Sequence, residues 1–501
     1  MFGWKQDIVI LIALQAALGA AYLSRVPRIY VDEVWDSSLG YNLANEGTLK
    51  HPFVEGFGGM EIHFVQNRVV LPLVCAVVFK IGGYSIAASR IGSVIFGVLA
   101  IVSVYAVMRR WFGEKQAFWI ALATIIQPWF FEVSRRSRPE IYYTALALVF
   151  LWLMVVYFDS GSRWTALLIG VFAGLCCLTH PNGLITIFSI SCAVIFWQRT
   201  RPIGQLIAWS SVGLAASILP YIIYVFWAVQ DPQVSFAEQM QIGMLHKSLL
   251  YGEIIRWKSF LQWPKGAPLA IIMFVSWIVA WYRSSVGDKT AATIIALFVL
   301  ILSFATVNVT ARYLAAVVTF FSVLIIRLVW RIMAGESVPL KSWYKSRLAI
   351  SASIAIIYLS TCIGAIGLMF YRLRGSDFNR VIERVALVVG PESRVYGDPI
   401  FWVGHNQYQY GPWLIAYDFI TLRQALDWAV KYRFDYAVRT AWSFPTPHGI
   451  AKPPQSMPKF RDDILCDHIC RILGTRIDAF RDAYYGPIEI YKLDWDKLKQ
   501  K

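Results

Sequence analysis

The chain has 501 residues, of which 57% are hydrophobic and only 16% charged, and it carries 21 tryptophans. So little charge over so much apolar sequence excludes a single soluble core and places the protein among polytopic membrane proteins. The net charge of +16 would suit a nucleic-acid binder, but no basic helix or aromatic platform motif accompanies it. Much of it sits in short hinges between apolar runs, which favours lipid headgroups and anionic lipid-linked substrates and gives no nucleic-acid partner.

A membrane span needs about 17 to 25 apolar residues, with about 15 sufficient where flanking aromatics and bilayer thinning help. Eleven segments qualify: 8–24, 91–108, 117–132, 141–158, 164–179, 183–197, 203–227, 268–282, 290–307, 313–330 and 348–370. The first follows a weakly basic start and contains "AALGAA"; in so polytopic a chain it is expected to be retained as a span rather than cleaved. Residues 69–79, "VVLPLVCAVVF", are apolar but short and interrupted by Pro72, so they are expected in the membrane interface. Long loops occupy about 25–90 and 228–267. From residue 371 the sequence changes character: "RVALVVGPESRVYGD" predicts two strands, "TLRQALDWAVKYRFDYAVRT" an amphipathic helix feeding a strand, and "GPIEIYKLDWD" a closing strand. The expected fold is therefore a polytopic α-helical membrane domain, 1–370, followed by a small α/β domain, 371–501.

Lysine and arginine in short loops set orientation. One set of hinges, "RRWFGEK", "SGSRW", "QRTRP", "YRSSVGDK" and "WRIMAGESVPLKSWYKSR", holds roughly twelve positive residues, and the opposite set roughly four. The first set is assigned to the cytoplasm, which puts both long loops and the tail outside. Three of the four minority charges are Arg135, Arg136 and Arg138 in "VSRRSRPEIYY", and the fourth is Arg312. Arginines that oppose the charge-sidedness trend have no role in setting topology there, and anion binding is the better account of them.

Immediately after the first span, "RIYVDEVWDSSLGYNLANEGTL" places Asp32, Glu33 and Asp36 close to the membrane. Alone they would be a helix cap with solvated charges. With Arg68, Arg135, Arg136, Arg138, Glu140 and Arg312 assigned to the same side, carboxylates able to take a proton and guanidiniums able to grip a phosphate are expected to share one outer cavity. Tyr142 and Tyr143 could stack on a donor or belong to an interfacial belt. His51, Glu55, Glu61 and His63 form a loop cluster that could hold a divalent ion, although solvated loop side chains explain it as well. His180 in "THPNG" stands at a hinge that Pro181 and Gly183 already explain. Five of the seven cysteines lie in apolar stretches as small buried hydrophobes. Cys466 and Cys470 in "CDHIC" admit a disulfide, or a partial metal set with His468.

The segments "YVDEVWDSSLGYNLANEGTL", "FKIGGYSIAASRIGSVIFGVLAIVSVYAVMRRWFG", "SRRSRPEIYYTALAL", "GLCCLTHPNGL" and "TARYLAAVVTFF" resemble, in their order, the GT-C superfamily of membrane glycosyltransferases. The likeness is to the branch of the protein O-mannosyltransferases and the aminoarabinose transferase of lipid A. It implies a GT-C membrane domain of about eleven spans with a C-terminal extracytoplasmic α/β domain. It also implies transfer of a sugar from a polyprenyl-phosphate carrier to a lipid, glycan or protein acceptor, at the outer face of a bacterial inner membrane or the lumenal face in eukaryotes. Asp32 matches the acidic residue that serves as base, with Glu33 beside it, and Glu140 matches the second acidic position. Many relatives end the first loop with a lysine that holds the donor phosphate. This chain reads "FVQNRVVLP" there, leaving Arg68 as the substitute. A monophosphate leaving group can be served by guanidinium alone, so no cofactor is required. A transporter or flippase for a lipid-linked glycan is the competing reading, but transporters place ionisable groups near mid-bilayer, and these spans carry almost none.

Overall fold

The computed structural model describes residues 3–51, 62–66, 68–228, 266–282, 284–305, 311–335, 344–390, 393–397, 399–404, 410–412, 430, 433–440, 469–483 and 485–498. Its helices, in chain order, are α1 (Trp4–Ala20), α2 (Val31–Glu46), α3 (Val70–Gly82), α4 (Ile86–Phe112), α5 (Glu114–Ile125), α6 (Pro128–Val133), α7 (Pro139–Ser160), α8 (Arg163–Cys177), α9 (Pro181–Gln198) and α10 (Ile203–Ala228). They continue with α11 (Gly266–Trp281), α12 (Val286–Ala305), α13 (Ala315–Ala334), α14 (Tyr344–Leu373) and α15 (Phe378–Val388). Two compact units result: Met1–Ala21 with Gln66–Val74 and Arg90–Leu368, and Tyr22–Val65 with Cys75–Ser89 and Met369–Lys501. The tail is thus grouped with the first loop, where the sequence suggested a single cut near residue 370.

Among the described residues, seven helical segments are long and apolar enough to cross a bilayer: α4, α7, α9, α10, α12, α13 and the stretch beginning at Ser346 that contains most of α14. α8 and α11 are apolar but shorter. The expected third span is two helices rather than one. Pro128 cannot donate a helical hydrogen bond, and the Gln127 side chain accepts from Phe130 N at 2.8 Å, so α5 ends and α6 starts afresh. The apolar segment beginning near Val69 forms α3, with Pro72 in its first turn, where a missing N–H costs nothing. At 13 residues it is about 20 Å long, too short to cross.

Apolar residues on every side of a helix require protein on every side. α7 meets that condition with 89% of its span buried, against 11% for α10, so α7 is the centre of the first unit and α10 lies at its rim. α8 and α10 touch through glycines: a Cβ on Gly170 would overlap the Ser210 carbonyl, and one on Gly213 the Leu167 carbonyl. Lipid tails are as apolar as leucine, so this close backbone approach is what makes the pair specific. A second fastening joins α12 to α13. Arg327 Nε and Nη2 donate to Asp288 at 2.8 and 3.0 Å, with the guanidinium 4.3 Å over the Phe112 ring. Asp288 also accepts from Ser285 N and Oγ, so one buried carboxylate caps α12 and neutralises Arg327.

In the second unit, β1 (Val395–Gly397), β2 (Tyr410–Pro412), β3 (Tyr436–Thr440), β4 (Gly474–Asp482) and β5 (Gly486–Leu493) form a sheet in the order β2-β1-β3-β5-β4. β1 runs parallel to β2 and β3, while β5 is antiparallel to both β3 and β4. "RVALVV", expected as a strand, falls in and just after α15: Asp377 caps the helix by accepting from Asn379 N, and Phe378, Val381 and Val385 recur on one buried face at helical spacing. Trp402, 1% exposed, packs edge-on against Tyr41 of α2 and against Tyr84. Ile29 N donates to the Tyr485 hydroxyl, and Arg25 pairs with Asp377 at 2.7 Å. These contacts tie the first loop and the tail into one core.

Candidate active site

The three arginines of "VSRRSRPE" have three different partners. Arg135 donates to the Leu18 and Ala21 carbonyls, closing the C-terminal turn of α1, and stacks 4.8 Å from the Phe131 ring. Arg136 Nη2 pairs with Glu132 at 2.8 Å, one helical turn back, with both side chains almost fully buried. Arg138 is the N-cap residue of α7, and its guanidinium meets Glu140 at 2.7, 3.0 and 3.1 Å. Pro139 at the first helical position and Glu140 in the first turn suit the start of a helix, where a proline loses nothing and a carboxylate meets the positive end of the dipole.

Arg138 belongs to a larger cluster in the first unit. Val69 N donates to the Leu178 carbonyl at 2.9 Å, which sets the segment carrying Arg68 beside the α8–α9 hinge. At that hinge His180 is the N-cap of α9, its Nδ1 accepting from Asn182 N at 3.1 Å. The imidazole lies between two tyrosine rings, with centroids 5.9 Å from Tyr143 and 5.3 Å from Tyr313. The Tyr143 hydroxyl reaches the Tyr313 carbonyl at 3.5 Å, and the Cys176 thiol reaches the Tyr143 carbonyl at 3.3 Å. Burial, and then the nearby Arg68 and Arg138 guanidiniums, hold His180 well below the ordinary imidazole range, so the ring is neutral. With Nδ1 accepting, the single ring proton is on Nε2.

The starts of α7 and α9, the turn that leads into α13 and the segment before α3 therefore meet around one imidazole. Helix N-termini present unpaired N–H groups and a partial positive charge, so this end of the bundle favours an anion, and beside it lie Arg68 and an Arg138 guanidinium shared with Glu140. Arg312 is in the turn Ala311–Leu314, and its side chain lies outside the described residues. Tyr143 is part of the cluster, whereas Tyr142 packs against Phe96 at 4.3 Å and is fully buried between helices.

In the second unit, the acids after α1 also separate by role. Glu33 is buried and accepts from Tyr30 N at 3.1 Å, capping its own helix, and Asp36 is buried on the same helix. Asp32 is the partly exposed member of the three. His51 is fully buried, 4.1 Å from the Trp35 ring and 5.1 Å from Phe64, with Nδ1 3.1 Å from the Ser38 hydroxyl. That is the environment of a core histidine. His63 is partly exposed, Glu55 and Glu61 lie outside the described residues, and no group of three metal-ligating side chains occurs among the described ones. Cys466 and His468 are likewise outside them, while Cys470 is buried with a free thiol.

His180 is the member of this cluster that sequence reasoning set aside. A hinge containing Pro181 and Gly183 needs no histidine, so the turn explained itself; only the packing of distant segments shows two guanidiniums next to the ring.

The family model for dolichyl-phosphate-mannose-protein mannosyltransferases matches residues 68–226, which include Arg68, Arg138, Glu140 and His180. No curated protein matches the sequence. Among solved structures, ArnT from Cupriavidus metallidurans in the apo state is similar over 98% of this chain and 99% of its own, at 12% identity and a TM-score of 0.67. The same protein bound to undecaprenyl phosphate is similar over 98% of both chains, at 13% identity and a TM-score of 0.64. The apo oligosaccharyltransferase of Archaeoglobus fulgidus is similar over 88% of this chain and 70% of its own, at 14% identity and a TM-score of 0.54. With a likeness that runs nearly end to end, this is a polytopic helical membrane protein with the fold seen in ArnT, a fold of the GT-C membrane glycosyltransferases.

Proposed function

We propose that the protein transfers a sugar from a polyprenyl-phosphate carrier to an acceptor hydroxyl on the extracytoplasmic face of a bacterial inner membrane, with inversion at the anomeric carbon. The observation that carries this reading is the cationic cluster of Arg68 and Arg138 set among helix N-termini in the first unit. Such a place suits a phosphate, and ArnT, whose fold this chain shares, has been crystallised with undecaprenyl phosphate. The bond between the anomeric carbon and the bridging phosphate oxygen breaks with its electron pair on that oxygen. The acceptor oxygen forms the new bond from the opposite face and gives its proton to a carboxylate.

Asp32 is the carboxylate assigned to that proton, since Glu33 is engaged in capping and Asp36 is buried. Arg68 and Arg138 stabilise the charge gained by the leaving phosphate, each contact of this kind being worth roughly 2 to 4 kcal/mol in the transition state. Arg135 and Arg136 serve as scaffold. A lipid or glycan acceptor fits best, and neither a nucleic acid nor a metal is needed for this chemistry.

The test is turnover by the purified full chain in lipid nanodiscs, supplied with polyprenyl-phosphate sugars and envelope glycolipids and followed by release of polyprenyl phosphate. Asp32→Asn is expected to abolish release while undecaprenyl phosphate still binds. Release by that variant at the wild-type rate would remove Asp32 from the mechanism. Sugar crossing the bilayer with no bond broken would make the protein a flippase instead.

A further inference from the structure

His180 is used by nothing in the mechanism above, yet its surroundings are built. The charged groups that act on it are Arg68 before α3 and Arg138 at the N-cap of α7, and the rings beside it are Tyr143 on α7 and Tyr313 before α13, while Glu140 and the Cys176 thiol bear on Tyr143. Its Nδ1 is held by Asn182 N, the two tyrosine rings fix the plane of the imidazole, and the remaining Nε2–H is left as a donor in a cluster whose other donors are guanidiniums. A buried neutral ring with two cations nearby is biased against a second proton, and negative charge arriving beside it relaxes that bias.

Resting on the proposed donor chemistry, we propose that His180 Nε2–H hydrogen-bonds a phosphate oxygen of the lipid carrier alongside Arg68 and Arg138, and that the imidazole takes up a proton as the phosphate dianion forms. The proton comes from solvent and goes to Nδ1, which gives up Asn182 N as its donor, while Nε2–H stays on the phosphate. No bond to the phosphate is made or broken at this residue. The incoming charge repays the repulsion from the two guanidiniums, so binding of the product form and protonation of the ring favour one another. His180 thus adds positive charge when the leaving group needs it and withdraws it when the carrier departs.

The probe is undecaprenyl phosphate, bound to the full chain in nanodiscs between pH 5.5 and 8.0. Proton exchange is measured by calorimetry in two buffers of different ionisation enthalpy. Wild-type protein is expected to take up a fraction of a proton per lipid near neutral pH and to bind more tightly as pH falls. His180→Gln keeps a donor in the place of Nε2–H but cannot titrate, so it is expected to retain affinity at pH 8.0 within about threefold and to lose the proton uptake. His180→Leu removes the donor as well, and is expected to weaken binding about tenfold or more at every pH.

Unchanged proton uptake in His180→Gln, or unchanged affinity in His180→Leu, would overturn the proposal. If the lipid phosphate fails to bind wild-type protein, or binds Arg138→Gln equally well, the functional reading itself has failed. If the arginine variant weakens binding while both histidine variants behave as wild type, the fault lies with His180 alone.

Discussion

Replacing Arg138 with glutamine separates what the residue does for the fold from what it does for a phosphate. The guanidinium makes three hydrogen bonds of 2.7 to 3.1 Å to Glu140, whose side chain is 1% exposed. Glutamine cannot reproduce the fork, and the carboxylate is left buried without its counter-charge, a loss of about 3 to 5 kcal/mol in comparable pairs. Changing Glu140→Gln as well replaces the ion pair with two neutral amides that can bond each other, which is expected to recover all but about 1 to 2 kcal/mol. Affinity should not follow stability. The double variant still lacks a cation at the start of α7, and its binding of undecaprenyl phosphate is expected to remain at least tenfold weaker than wild type. Unfolding in mixed detergent and dodecyl sulfate micelles reads the first quantity, and titration with the lipid in nanodiscs the second. Should binding return together with stability in the double variant, Arg138 is a structural residue and the phosphate is held elsewhere.

Arg327→Met leaves Asp288, 1% exposed, as a buried carboxylate with only Ser285 for company, and is expected to cost about 3 to 5 kcal/mol in the same unfolding assay, largely restored by Asp288→Asn in the same chain. Gly170→Leu must push apart α8 and α10, because the obstacle is the Ser210 backbone carbonyl rather than a movable side chain. The expected result is loss of folded protein on size-exclusion chromatography, while Trp164→Leu, at an exposed position on the same helix, elutes as wild type. The depressed basicity of His180 gives stability a pH dependence of known sign. The unfolded chain binds the proton below about pH 6.5 and the folded apoprotein does not, so stability is intact above that pH and falls below it by up to about 1.4 kcal/mol per unit. His180→Gln is expected to flatten that part of the profile, and an unchanged slope would place the titration on another group.

The membrane class and most of the spans were legible because each rests on local composition. A 22-residue helix such as α7, apolar from Ile141 to Phe158 but for Thr144, can be little else. Expectation and structure part where two local signals compete: Gln127–Pro128 inside an apolar run breaks a helix that hydropathy alone continues, and "RVALVV" is apolar enough for a strand although its buried residues recur at helical spacing. The site was only half legible. Sequence singled out the arginines but could not distribute them, because Arg135 is answered by carbonyls at the end of α1 and Arg136 by a glutamate one turn away. His180 could not be promoted at all, since its importance comes from Arg68 and Tyr313, which are brought to it only by the packing of separate helices.

The partial neutralisation of "EVSRRSRPE" bears on how such a site could turn over. Two carboxylates and a helix C-terminus answer three guanidiniums there, so the number of arginines overstates the charge available to a ligand. A locus with all three unpaired would hold the substrate phosphodiester and the product monoester alike, and interactions made equally with both states do not accelerate the step between them. Helix N-termini, one guanidinium shared with Glu140, Arg68 and a neutral imidazole together give a weaker resting field. Its response is greatest to the second negative charge, which exists only once the anomeric bond has begun to break. In the proposed reaction, restraint in the ground state is therefore the property that lets the same cluster favour the transition state and still release the carrier.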